Sequence, residues 1–193
     1  MTETPAPTVD HGDLLAAYST PEAPRVPWSA VREALERAGV SWVSTVRPDG
    51  RPHVTPLLTV TADGALFFCT GPDERKARNL AANPHVVLTT GANRYEEGMD
   101  VVVEGDAVRV TDDAVLHRLA ERWRCKYDWH FEVRDGAFWD TPGGGGEAYV
   151  FAVRPDVVFA YARGAEHTAM RWRFGADAPS TGLGAARAPQ PAP

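Results

Sequence analysis

The chain has 193 residues, with 20 basic and 26 acidic side chains and a net charge of −6. That length fits one domain with a buried core, and the acidic balance excludes the broad positive field that general nucleic-acid or membrane-surface binding requires. No apolar run approaches the roughly 20 residues of a spanning helix and no apolar signal core follows Met1, so a cytoplasmic protein is expected.

Residues 1–27 are punctuated by Pro5, Pro7, Pro21, Pro24 and Pro27. They are expected to form a flexible N-terminal arm, with one short helical turn near Leu14 and Leu15. The Ala/Pro/Gly-rich stretch 175–193 is expected as a disordered tail, which leaves 28–174 as the ordered domain. Ser29 is a candidate cap for a first helix whose Val31, Leu35 and Ala38 share a face, closed by Gly39. Alternation then replaces helical spacing. Residues 40–47 and 53–60 read as two strands joined by the type I turn signal Arg47-Pro48-Asp49-Gly50, and Asp63-Gly64 turns the chain again into a strand over 65–70.

Gly71-Pro72-Asp73-Glu74-Arg75-Lys76-Ala77-Arg78-Asn79-Leu80-Ala81-Ala82-Asn83-Pro84 follows that strand directly. Pro72, Asp73 and Glu74 suit a helix start, Ala77, Leu80 and Ala81 share one face, and Asn83-Pro84 stops the helix. Arg75, Arg78 and Asn79 share another face, with Lys76 beside them. A helix N-terminus attracts anions, and three cations within four residues strengthen that pull, so a phosphate is expected here.

Strands are expected over 85–90 and 100–110, separated by a loop at 91–98. Asp112 then caps a helix with Leu116, Leu119, Ala120 and Trp123 along its apolar stripe. Residues 128–146 read as a long loop, a lid or an insertion. Its glycines 143–146 lack the GK[ST] or GxGxxG context of a phosphate loop. Late strands are expected over 147–153, 157–162 and 171–174. Tight hairpins make the sheet antiparallel and closer to a barrel than to a βαβ array. Cys69 and Cys125 have no CxxC partner or His/Cys cluster, so reduced thiols and no metal site are expected. No nucleophile–base pair stands out, and the catalytic residues stay unknown.

In order, Arg47-Pro-Asp-Gly-Arg-Pro-His-Val-Thr-Pro56, Phe67-Phe-Cys-Thr70, Glu74-Arg-Lys-Ala-Arg-Asn-Leu80, Val101-Val-Val-Glu-Gly105 and Arg171-Trp-Arg-Phe174 resemble the pyridoxamine 5′-phosphate oxidase-like superfamily. Their spelling is similar to the actinobacterial branch that often uses the deazaflavin F420 in place of FMN. The resemblance implies a mainly β (α+β) fold: a split β-barrel of antiparallel strands with peripheral helices, forming a homodimer with cofactor sites at the interface. It implies that the strand containing Val54, Thr55, Pro56, Leu57 and Thr59 seats the ring. It also implies that Arg75 and Lys76, with Thr70, hold the phosphate, while Arg78 and Asn79 lie beside them. FMN-type members carry Lys and Gln where this chain has Thr59 and Asp100, which shifts the expectation from FMN to F420. Arg171 and Trp172 are candidate substrate-binding residues, for a small unsaturated or quinone-like substrate reduced by hydride transfer. The alternatives are an FMN-dependent oxidoreductase, or a non-catalytic flavin, deazaflavin or haem carrier. A haem would draw on His53, His85 or His130 as its axial ligand.

Overall fold

The protein is described by a computed structural model over residues 12–140 and 146–174. In chain order, β1 (Asp13–Leu14) leads through a single 3-10 turn to α1 (Trp28–Arg37), β2 (Ser41–Val46), β3 (Pro52–Leu57), β4 (Val60–Ala62), β5 (Ala65–Thr70) and α2 (Arg75–Ala82). Then come β6 (His85–Thr90), β7 (Gly98–Val110), α3 (Asp113–Tyr127), β8 (Phe131–Arg134), β9 (Ala137–Asp140), β10 (Gly146–Arg163) and β11 (Thr168–Arg173).

The strands form one antiparallel sheet that does not close on itself. Its main path runs β1-β11-β10-β7-β6-β2-β3, with β4 and β5 attached on one branch and β8 and β9 on another. β10 is the hub, pairing with β11, β7, β5 and β9. The two late strands expected at 147–153 and 157–162 are therefore one strand. Asp156 is squeezed out where the register shifts between Pro155 and Val157, a bulge that tolerates a proline without an N–H and bends the strand.

Central strands are buried on both faces, which explains their unbroken apolar spelling. In β5, Leu66 and Phe68 enter one core with Val31, Val43, Leu88, Val153 and Trp172, while Phe67 enters a second beneath α3 with Leu116, Trp123 and Phe138. The expected Asp112 cap is present, its carboxylate accepting from the Val115 N–H at 3.0 Å. Ser29 is not a cap. α1 begins at Trp28 behind Pro27 and has no side-chain cap, as a proline-fixed entry allows.

Residues 128–146 are not a plain loop. β8 and β9 make a hairpin closed by Asp135 (φ 55°) and Gly136 (φ 67°) between the paired Arg134 and Ala137. Asp-Gly at positive φ is the two-residue turn that matches strand twist. Residues 141–145, with most of the glycine run, lie outside the described residues, as does the stretch 175–193.

The flexible arm expected over 1–27 is corrected for its described part, residues 12–27. β1 pairs with β11, Thr20 donates to the His167 carbonyl at 2.8 Å, and Ala23 is buried. The docking has a steric reason: Gly12 lies flat on Trp172, where a Cβ would stand 2.5 Å from the indole.

Candidate functional site

β2 and β3 form the first hairpin, and Arg47 donates its N–H to the Arg51 carbonyl at 2.9 Å. That bond fixes the parity of the ladder. His53, Thr55 and Leu57, opposite Thr45, Val43 and Ser41, turn their main-chain groups to β2, whereas Pro52, Val54 and Pro56 turn theirs to the other edge. β3 ends the strand path, so that edge offers the Val54 N–H and the Val54 and Pro56 carbonyls. Prolines at 52 and 56 lose nothing there, since no donor is needed. The opposite parity places the side chains of Thr45, Arg47, His53 and Thr55 on the inner face.

α2 covers the hairpin end of this face. Its inward side is Lys76, Ala77, Asn79 and Leu80, the i, i+3, i+4 positions of a helix. This corrects the expected face of Arg75, Arg78 and Asn79: Arg75 and Arg78 are exposed, whereas Asn79 is 1% exposed and Lys76 7%. Ala81, expected on the apolar face, is exposed. Asn79 Nδ2 donates to Thr45 Oγ1 at 2.9 Å, and that bond makes an amide acceptable on a buried face. The helix starts later than expected, with Glu74 at the N-cap position. The Glu74 carboxylate accepts from the Gly71 N–H at 2.8 Å and pairs with Lys76. Burial pushes that carboxyl up, but the Lys76 ammonium and the Gly71 N–H outweigh burial and hold it below its usual value.

Charge converges on His53. Burial lowers its imidazole pKa, and Arg47, Lys76 and Arg75 lower it further. The Lys76 charge also reaches Cys69 on β5, whose thiol is pushed up to about 12 by burial and then by Asp140. Cys69 is therefore not a nucleophile at neutral pH. Thr70, at the end of β5, is 3% exposed. Arg47 Nε, Thr55 Oγ1 and Asn79 Oδ1 are buried without a hydrogen-bond partner. Unpartnered polar atoms on the β2–β3 hairpin and on the inward side of α2 are groups that a polar ligand could satisfy.

Other expected site residues lie elsewhere. Thr59 is 1% exposed and its hydroxyl bonds Ser41 Oγ at 2.8 Å, so its side chain is turned into the protein. Its carbonyl accepts from Lys126 Nζ at 2.9 Å and from the Tyr127 hydroxyl at 2.8 Å, which pins the β3–β4 bend to the end of α3. Trp172 is 1% exposed. It stands opposite Val158 on the inward side of β11, its ring 5.4 Å from Trp28, and borders no open space. The expectation that it lines a substrate pocket is corrected: alternation along β11 sends the indole to the core and Arg171 outward. Arg171 donates to Asp13 at 3.1 Å, far along the sheet from α2. Asp100 is ion-paired with Arg163. His85 and His130 are exposed and bonded to Asp106 at 2.6 Å and Asp128 at 3.3 Å.

β2 pairs with β6 only through Trp42, Val43 and Ser44. Beyond Ser44 the strands diverge around a groove of about 450 Å³ lined by Thr45, Val46, Pro52, His85, Asp106 and Asp156. No helix among the described residues is long and apolar enough to cross a membrane.

Residues missed by sequence reasoning are Arg47, Thr45 and the role of His53. The signal was there: odd positions from 41 to 47 and 53 to 57 share a face across a hairpin.

Compared with known proteins, residues 28–160 match the family model described as pyridoxamine 5′-phosphate oxidase. Over 85 residues the chain is 39% identical to a pyridoxine/pyridoxamine 5′-phosphate oxidase from Bacteroides thetaiotaomicron, covering 44% of this chain and 39% of that one. The match thus spans well under half of that relative's length. Among solved structures, a pyridoxamine 5′-phosphate oxidase-related, FMN binding protein from Nostoc punctiforme superposes with a TM-score of 0.56 at 17% identity, covering 80% of this chain and 94% of that one. A heme binding protein from Mycobacterium smegmatis gives a TM-score of 0.56 at 17% identity, covering 76% and 59%. Both show the shared fold.

Proposed function

The chain belongs to the pyridoxamine 5′-phosphate oxidase family, and from that premise we propose that it is an oxidoreductase holding a phosphate-bearing, flavin-type cofactor at Arg75 and Lys76, with F420 preferred to FMN. The observation that carries this reading is the buried Lys76 in the first turn of α2, beside the exposed Arg75 and, among the described residues, ion-paired with Glu74. Cations beside helix N–H groups bind a phosphate without any field from the rest of an acidic protein.

The residues divide the work. Arg75 and Lys76 anchor the phosphate. The Val54 N–H, the Val54 and Pro56 carbonyls and Thr55 Oγ1 orient the ring edge, since a planar heterocycle is held by a few fixed donors and acceptors. Arg78 is free to reach a longer anionic tail. When bound, reduced F420 supplies a hydride to an electron-poor double bond, imine or quinone; the protein contributes orientation and electrostatics.

Thr59 supports F420, because its side chain is neutral and turned to Ser41 where FMN-type relatives place a lysine. Asp100 does not: its charge is answered by Arg163, so it repels no phosphate. That pair favours the FMN alternative on the same site.

A homodimer belongs to the same proposal. One lateral row of the outer sheet face reads Pro56, Trp42, Thr89, Val102, Phe159, and Trp42 is 49% exposed, Val54 51% and Tyr161 38%. An open apolar sheet face of this extent fits a second copy of the chain.

The test is Lys76→Ala. It should weaken cofactor affinity by about 1.5–3 kcal/mol, the worth of a hydrogen bond to a charged group, and thermal unfolding of the variant separates this from any loss of folding stability. Unchanged affinity would put the phosphate elsewhere.

A further inference from the structure

The edge of β6 that faces β2 is used only in part. Trp42, Val43 and Ser44 have partners on it, and Val46 has none. Val43 and Thr45 turn their main-chain groups to β3, so alternation turns the Val46 N–H and C=O toward β6. His85, which the register would bring opposite Val46, instead gives its N–H to the Asn83 side chain at 3.0 Å. The gap between the two strands is the groove of about 450 Å³. Val46, Pro52 and Val87 give it apolar surface, Glu104, Asp106 and Asp156 give it acidic surface, and no lysine or arginine lines it. His85 answers Asp106 at 2.6 Å, whereas Glu104 and Asp156 have no ion-pair partner among the described residues. Arg154, opposite Asp106 on β10, pairs with neither. Arg173, in the same row as Glu104 across Val157, is held with Arg171 by Asp13.

The described chain ends beside this groove: the Phe174 N–H donates to the Asp156 carbonyl at 2.9 Å. Residues 175–193 follow. Arg187 is their one cation and Leu183 their one large aliphatic side chain, among alanines, glycines and prolines. Extended chain spans about 3.3 Å per residue, so both can return to the groove. We propose that residues 175–193 dock into it as an extended segment. Their main chain pairs with the Val46 N–H and C=O, Leu183 covers Val46 and Pro52, and Arg187 lies between Glu104 and Asp156. Asp177, their one carboxylate, stays near Phe174 and outside the acidic part. Main-chain pairing at an open strand edge gives affinity and the side chains give specificity. A tethered segment meets its site at an effective concentration of about millimolar, so weak contacts suffice. Thr45 both lines the groove and accepts from Asn79, so the docked segment shields the bond that seats α2. The docking is independent of any cofactor at Lys76.

Amide hydrogen exchange at Val46, read by NMR, tests this. The full chain is compared with a chain ending at Gly175, with Arg187→Glu, and with Arg187→Glu combined with Glu104→Arg. Thermal unfolding confirms that each one folds. Val46 should exchange on the order of tenfold more slowly in the full chain than in the shortened one. Arg187→Glu should lose most of that protection, and adding Glu104→Arg should restore part of it. Equal exchange in the full and shortened chains overturns the docking, and so does protection that survives Arg187→Glu. Protection that grows with protein concentration would place a second copy in the groove and overturn it as well.

Discussion

Asn79 on α2 and Thr45 on β2 are joined by a buried hydrogen bond of 2.9 Å, and each residue is 1% exposed. The bond holds the basic helix at a set distance from the hairpin, and the same Thr45 hydroxyl donates to the His53 carbonyl at 3.3 Å. It is a structural contact with a functional consequence: without it, α2 would still form but would lose its fixed position over β2 and β3.

Asn79→Ala should therefore do two things. It leaves the Thr45 hydroxyl short of its best donor in a buried place, a cost of about 1–3 kcal/mol in unfolding free energy. It should also weaken cofactor binding although Asn79 carries no charge. Urea unfolding and a cofactor titration on one sample check both.

Trp172→Ala should destabilise the protein by about 3–5 kcal/mol, the range for removing a fully buried large aromatic. Its partners Trp28 and Phe174, and Gly12 beneath it, would face a void. Limited proteolysis should show residues 12–27 becoming susceptible in this variant. A Trp172→Ala protein of wild-type stability with altered substrate preference would restore the substrate-lining role that burial contradicts.

His53 gives a pH dependence of defined sign. Burial, Arg47, Lys76 and Arg75 hold its pKa below the usual 6.5. Below about pH 6.5 the unfolded chain takes up a proton that the folded protein resists. Stability from this group is thus complete above 6.5 and declines as pH falls toward the depressed folded value. An anion bound among the three cations offsets their repulsion and raises the imidazole pKa, so binding takes up a proton in that window. Affinity for a phosphodiester, whose own charge does not titrate there, should rise as pH falls from 7.5 to about 5.5. His53→Gln should flatten both profiles, read by unfolding and by calorimetry.

Much of this was legible from local chemistry. The strand–turn–strand pattern at 40–60, the basic helix after Thr70 and the Asp112 cap follow from turn residues, periodicity and capping. What failed depended on register. Asn79 was assigned to the cationic face because asparagine is polar, and only Thr45, 34 residues earlier, makes its burial acceptable. Trp172 reads as a substrate-binding candidate because a lone Arg-Trp-Arg does not reveal which face of the strand meets the core. Residues 12–27 looked mobile because their prolines exclude regular structure, yet the chain docks through β1 and the contact of Gly12 with Trp172. The β8–β9 hairpin was missed although Asp135-Gly136 announces its turn.

The measurement that bears most directly on the central claim is a calorimetric titration of the apo protein with F420 and with FMN, beside the Lys76→Ala variant. F420 should bind with micromolar or tighter affinity, FMN more weakly, and the variant should lose about 1.5–3 kcal/mol. Tight FMN binding with none of F420 would contradict the cofactor assignment. Binding of either one that ignores Lys76 would contradict the site itself.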